Sequence, residues 1–331
     1  MRKQLWGVVA SVVCVGSAMA EDVQVIADIA PVHSIVSRVM QGAGTPELVL
    51  RPGESPHDFD LRPSTAQALQ EADIVIWMGH ALIPGLEKPL ETLAGSSRVL
   101  DLSDVAGTTR HNFRETAVFE DHHEEPHEDH DHEDEHHDDQ KNDHEGHDEA
   151  ADEHDAHHHD HEGMDPHMWL DPENAAVWAV AIAETLGASD PKNAALYSEN
   201  AKQFASEVHQ VEGEIRAFLE PVSSEPFLVF HDAYQYFEHR FGLNAAGSLL
   251  ISDASTPSAA RLVEIQHAIE ERNVHCVFTE PQFDPRLVKA VAGHVRSGIM
   301  DPMGVDQTVG ADLYLGMLRA LAQNMSDCLT D

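Results

Sequence analysis

The stretch "PKNAALYSENAKQFASEVHQVEGEIRAFLEP", Pro191–Pro221, decides the architecture. Its apolar residues recur at helical spacing between two prolines, and neither proline suits a helix interior. Such a helix is roughly 40 Å long at 1.5 Å per residue. That is long enough to run along two domains and join them. On both sides of it, β-branched runs alternate with helical runs, the pattern of a mostly parallel sheet flanked by helices.

Upstream, "VQVIADI" (23–29) reads as a strand and "PVHSIVSRVMQG" (31–42) as a helix that stops at Gly42. "ELVL" (47–50) is a short strand ending in the loop "RPGESPHDFDLRP". "STAQALQEA" (64–72) is a helix with Ser64 as its cap. "DIVIWMG" (73–79) is a buried strand, "PGLEKPLETLA" (84–94) a helix and "SRVLDLS" (97–103) a strand. "DPENAAVWAVAIAETLGASDP" (171–191) is a helix capped by Asp171, with Pro172 at its first position and Gly187 at its end. Downstream, "FLVFHDAYQYFEHRFGL" (227–243) is strand, turn and helix, and "AAGSLLIS" (245–252) is a strand. "TPSAARLVEIQHAIEERN" (256–273) is a helix with Thr256 as cap and Pro257 first. "VHCVFTE" is a strand, "DPRLVKAVAGHV" a helix, "RSGIMDPM" a strand, and "TVGADLYLGMLRALAQNMSDCL" the last helix. The fold class is therefore α/β, two similar lobes joined by one long linking helix. The expected boundaries are residues 21–190, 191–219 and 220–331.

The first 20 residues have a different character. Arg2 and Lys3 precede an apolar core, Leu5–Val15, and Ala18-Met19-Ala20 makes a cleavage site. This is the pattern of a secretory signal peptide, too short for a spanning helix of about 20 apolar residues. Cys14 raises lipidation, but Val13 precedes it where a small residue is needed. The expected mature chain starts near Glu21, is exported and retains Cys276 and Cys328. An even count in an exported chain suggests a disulfide, and the alternative is two buried thiols.

The formal net charge is -39, and more than half of it lies in residues 120–164, a run of His, Asp and Glu. Such a charge repels nucleic acid and favours cations. The run has no hydrophobic periodicity and cannot offset its ordering entropy by burial, which predicts a disordered loop inserted in the first lobe. Its histidines, among them His122, His123, His127, His130, His132, His136, His137, His157, His158 and His159, form an auxiliary set of metal ligands. Ligands that must be ordered on binding hold metal weakly. The expected role is low-affinity scavenging or sensing, and a solvated spacer is the plainer reading.

In open α/β sheets, ligands bind beyond the carboxyl ends of the strands. Four residues with metal-binding side chains lie in such places. They are His57 in "SPHDFDLRPS", His167 in "DPHMWLDP", His231 in "FHDAY" and Asp301 in "DPMG". A lone loop histidine is more often solvated than a ligand, but four such positions shared between two halves describe a metal at the floor of a cleft. Three nitrogens and one oxygen suit tetrahedral zinc. Zinc needs neutral imidazole, so binding should weaken below about pH 6. Glu280, after "VHCVFT", is placed to accept a hydrogen bond from a ligand, and His80 is a secondary candidate. His33, His209, His239, His267 and His294 sit in helical segments and His275 in a strand, outside the pattern.

"SPHDFDLRPS", "DPHMWLDP", "FHDAYQYF", "VFTEPQF" and "GIMDPMG", in this order over the whole mature chain, resemble the solute-binding proteins of bacterial zinc and manganese ABC importers. The His-rich insertion resembles the zinc-specific members. The resemblance implies two lobes with a rigid linking helix, zinc as the transported ion, and a permease and ATPase complex in the inner membrane as partner. It also implies a monomer in the periplasm, with no enzymatic activity. A periplasmic zinc chaperone is a further candidate partner. By motif, His57, His167 and His231 look like the zinc-binding histidines and Asp301 like the carboxylate that ligates metal in manganese members. Some zinc members use solvent or a Glu beside the first histidine in that place; here Pro56 occupies the neighbouring position, so Asp301 and water remain. Manganese members carry Glu where this chain has His231, which favours zinc over a manganese or iron reading. Cys276 and Cys328 match the positions of a disulfide in zinc members. The competing enzymatic reading is a zinc hydrolase with Glu280 as base. Neither H-E-x-x-H nor a nucleophile elbow supports it.

Overall fold

The computed structural model describes residues 23–114, 116–119, 163–250, 258–282 and 293–330. The expected leader, the histidines of the acidic run and the helix expected over residues 284–295 fall wholly or largely outside these. In chain order the first half comprises β1 (Val25–Ala27), α1 (Ala30–Val39), β2 (Glu47–Leu48), α2 (Pro63–Glu71), β3 (Ile74–Trp77), α3 (Pro84–Leu93) and β4 (Arg98–Asp101). Then come α4 (Pro172–Ser189) and α5 (Ala194–Leu219). The second half comprises β5 (Phe227–His231), α6 (Gln235–Phe241), β6 (Ala245–Leu250), α7 (Ala259–Glu271), β7 (Cys276–Thr279), β8 (Arg296–Ile299) and α8 (Leu313–Leu329).

Two four-stranded sheets result, ordered β2-β1-β3-β4 and β6-β5-β7-β8, and every pairing between strands is parallel. The two lobes thus repeat one topology. The central strands β3 and β5 are buried along their whole length, as parallel strands covered on both faces must be. In each sheet the order reverses beside the first strand, and ligands of such sheets bind outside the carboxyl ends at that point.

Helix α5 joins the lobes. Its 26 residues bury Tyr197, Ala201, Phe204, Val208, Val211, Ile215 and Leu219, a stripe at three- and four-residue steps. The stripe packs on α4 and also meets α1, α6 and α8. One continuous apolar core consequently takes in strands of both sheets together with α1, α4, α5 and α8, and a smaller cluster lies around β6 and α7. The last helix also reaches back to the first lobe. Ser34 Oγ donates to the Ala311 carbonyl at 3.0 Å and accepts from Tyr314 N at 2.9 Å.

Three local expectations change. Helix α2 begins at Pro63 after an extended Arg62, so Ser64 lies inside it and is not the cap; proline supplies the first-turn φ without needing a donor. Helix α4 runs through Gly187 to Ser189. A Cβ on Gly187 would sit 3.0 Å from the Ala194 Cβ, so this glycine admits the start of α5 and does not end α4. Helix α7 is capped by Ser258, whose Oγ accepts from Arg261 N at 3.1 Å; Thr256 and Pro257 lie outside the described residues. Asp171 caps α4 as expected, accepting from Glu173 N at 2.9 Å. Cys276 and Cys328 form a disulfide with Cα atoms 6.0 Å apart, tying β7 to α8.

Candidate metal centre

His57 sits in the loop between β2 and α2, where its backbone N–H donates to Ser55 Oγ at 3.1 Å. His167 opens a single 3-10 turn, Met168–Leu170, just before α4. His231 is the last residue of β5. Three distant parts of the chain, from both lobes, bring their imidazoles together. The ring centroids of His57 and His167 are 5.5 Å apart, those of His57 and His231 5.9 Å, and those of His167 and His231 4.8 Å. One ring nitrogen from each lies within 4.8 Å of the other two. Ligands on a tetrahedral zinc, with bonds of about 2.0–2.1 Å, stand roughly 3.3 Å apart. A small contraction therefore suffices to hold an ion. His167 and His231 are buried, and His57 is half-buried.

Two carboxylates fix the tautomers. Asp165 Oδ1 is 2.7 Å from His167 Nδ1, and Glu280 Oε1 is 3.2 Å from His231 Nδ1. A carboxylate accepts, so each Nδ1 carries the proton and each Nε2 offers its lone pair. Parallel pairing aligns Val229 with Phe278, so two residues on, His231 at the end of β5 stands beside Glu280 just past the end of β7. The acceptor role expected for Glu280 is the one it has, and Gln282 Nε2 steadies its other oxygen at 2.6 Å. Asp165 was not singled out by the sequence, although its place two residues before His167 in "DPHMW" was the available signal.

Asp301 stands outside the three-histidine group. Its carboxylate accepts from Met303 N at 3.1 Å and from Asp306 N at 3.3 Å, closing its own loop. Burial raises its pKa against the pull of these N–H groups. The secondary candidate His80 and the histidines outside the pattern lie elsewhere. His33 is buried and donates from Nε2 to the Pro46 carbonyl at 3.0 Å, and burial lowers its pKa. His80 pairs with Glu87 at 2.8 Å, both half exposed, and His275 pairs with Glu225 at 2.8 Å.

Around the centre lies a buried charge cluster that the sequence did not reveal. Arg114 forks between Asp232 and Glu238, with Nε 3.1 Å from Asp232 Oδ2 and Nη1 2.6 Å from Glu238 Oε2. Burial works against the guanidinium charge, but Glu238 and Asp232 outweigh it and hold its pKa above the ordinary value. Burial raises both carboxyls in turn, with Arg114 opposing. Asp165 is pushed up to about 7 by burial, opposed by the His167 N–H and by Arg114. Among the described residues, no helix is long and apolar enough to cross a membrane.

The model of the family described as zinc-uptake complex component A, periplasmic (ZnuA), matches residues 25–328. The high-affinity zinc uptake system protein ZnuA of Brucella suis biovar 1 (strain 1330) is 46% identical over 319 residues, 96% of this chain and 95% of its own. The protein of the same name from Paracoccus denitrificans (strain Pd 1222) is 46% identical over 315 residues, 94% of this chain and 93% of its own. A crystal structure of ZnuA superposes with a TM-score of 0.70 at 20% identity, covering 93% of this chain and 99% of that one. The periplasmic zinc binding protein TroA from Treponema pallidum superposes with a TM-score of 0.71 at 18% identity, with coverage of 93% and 99%. The two structures share the bilobed fold, and the sequence matches carry the relationship: the chain belongs to the periplasmic component A family of zinc-uptake complexes.

Proposed function

We propose that this protein captures Zn²⁺ in the periplasm and delivers it to an ABC permease and its ATPase, with His57, His167 and His231 as the protein ligands. The observation that carries the reading is the convergence of three ring nitrogens, from both lobes, within 4.8 Å of one another. Neutral imidazole suits zinc, and the carboxylates on Nδ1 hold two rings in the ligating tautomer. The names of the relatives, high-affinity zinc uptake proteins, agree with this chemistry. Zinc here is cargo. A shell this tight releases slowly unaided, so docking on the permease must assist release. A periplasmic zinc chaperone is a second candidate partner, and the His-rich run 120–164 serves as an auxiliary, weaker scavenger or sensor. The proposed limits of the lobes, 21–190 and 220–331, meet across the linking residues 191–219.

Competition for Zn²⁺ with a chromophoric chelator tests the site. His57→Ala, His167→Ala and His231→Ala are each expected to weaken the tight site by more than about 100-fold, beyond the usual cost of losing an outer-shell partner. Asp301→Asn is expected to cost less than any of them, because its carboxylate is engaged by its own loop. Retention of tight binding in all three alanine variants overturns the assignment.

A further inference from the structure

We propose that Asp165 is a positioning residue through which the C-terminal lobe sets the orientation of His167, so that separating the lobes loosens the zinc. The proposal rests on the reading of the three histidines as zinc ligands. Asp165 is 1% exposed and fully engaged. Its Oδ1 accepts from both the backbone N–H and Nδ1 of His167, at 3.0 and 2.7 Å. Pro166 lies between them with its φ fixed by its ring, which stiffens this short turn. The His167 ring is thus aimed by one carboxylate oxygen.

Two of the groups that hold Asp165 come from the other lobe. Tyr236 Oη donates to the Asp165 carbonyl at 2.8 Å. With its amide nitrogen turned inward, Gln235 lies 3.1 Å from Asp165 Oδ2 and 3.0 Å from the Asn112 carbonyl. Gln235 and Tyr236 open α6, four residues after His231. They therefore move with the ligand that the C-terminal lobe contributes. Tyr236 Oη also accepts from His111 N at 2.9 Å, and His111 O accepts from Asp165 N at 2.9 Å. The two chain segments that flank residues 120–162 are closed by this hydroxyl. Withdrawing α6 removes Tyr236 and Gln235 from Asp165 in one movement. The Asp165 turn then keeps its backbone bond to His111 but loses the two groups that hold its carboxylate and carbonyl, and the direction of His167 slackens. Lobe separation and ligand loosening become one event, which is what release to a docked permease requires.

The test uses the full-length mature protein, reading zinc release into excess chelator, the visible spectrum of the Co²⁺ form and the unfolding temperature without metal. Asp165→Asn keeps an acceptor but loses the charge; it is expected to weaken zinc by about 10- to 100-fold, the range for outer-shell partners, and to shift the cobalt bands. Tyr236→Phe leaves Asp165 in place and removes one support; zinc release is expected several-fold faster and the cobalt bands shifted, with the metal-free protein still folded and its unfolding temperature only a few degrees lower for the lost buried hydrogen bonds. Wild-type release rates and an unchanged cobalt spectrum in both variants overturn the proposal. If Asp165→Asn does not fold, Tyr236→Phe decides alone by the same two readouts. Failure of the underlying reading has a different signature: His167→Ala then binds zinc as tightly as wild type.

Discussion

An imidazole binds zinc well when its ring is held and its proton sits on the far nitrogen, and a buried carboxylate supplies both conditions. Asp165 and Glu280 do this for His167 and His231. Other buried carboxyls support the fold. Asp28, at the end of β1, accepts from Ile29 N and Met78 N at 2.7 Å each, yet burial pushes its pKa up to about 7. A folded-state pKa above the unfolded value means that the folded chain binds more protons through that window. The stabilisation is therefore complete below about pH 4 and is lost as pH rises through about 7. Asp28→Asn removes this titration. Scanning calorimetry of the metal-free protein should show the variant less stable at pH 5, with the gap to wild type narrowing towards pH 8. Parallel curves contradict the assignment. At this scale the candidate ligands were legible because His57, His167 and His231 follow strands or precede a capped helix. Arg114 was not, because its partners Asp232 and Glu238 are set by tertiary contacts that no local pattern encodes; Asp165 was overlooked although its partner His167 lies two residues on.

Elements place these side chains. The parallel strands were legible from apolar runs such as Ile74–Trp77, and the linking helix from the stripe Tyr197 to Leu219. Helix starts were less so: Pro63 and Ser258 each displaced a neighbouring residue that also fits a first turn. One connection gave no sequence signal. Residues 117–119 run antiparallel beside β6, with Phe119 N donating to the Ala246 carbonyl and Ser248 N to the Ala117 carbonyl, each at 3.0 Å. The segment leading into the acidic run is thus fastened to the C-terminal lobe's sheet, where Arg114 also lies over the Phe119 ring at 3.5 Å. Gly247 permits this approach, since a Cβ there would run into the Ala117 carbonyl oxygen. Gly247→Val should detach the segment. Amide exchange at Phe119 and Ser248 is then expected to rise by at least about tenfold, the loss of roughly 1.4 kcal/mol of protection. Unchanged exchange at both sites contradicts this pairing. At the other end, Ser258→Ala should cost about 1 kcal/mol through the lost cap of α7.

The whole molecule combines a shared apolar core, a cross-link and a large negative charge. The disulfide closes a loop of 52 residues between β7 and α8. By loop entropy its removal in Cys276→Ser with Cys328→Ser should cost about 4 kcal/mol, read as a lower urea midpoint with zinc absent. The charge of -39 concentrates cations near the protein, although salt screens the field beyond about 8 Å. Deleting residues 121–161 is expected to lower the zinc stoichiometry and keep one tight site; loss of that site would reverse the ranking of run and cleft. The most direct test of the central claim is a zinc-edge anomalous difference map from crystals grown with one equivalent of Zn²⁺. The account predicts a single dominant peak about 2.0–2.1 Å from a ring nitrogen of each of His57, His167 and His231. A dominant peak away from these three side chains contradicts it.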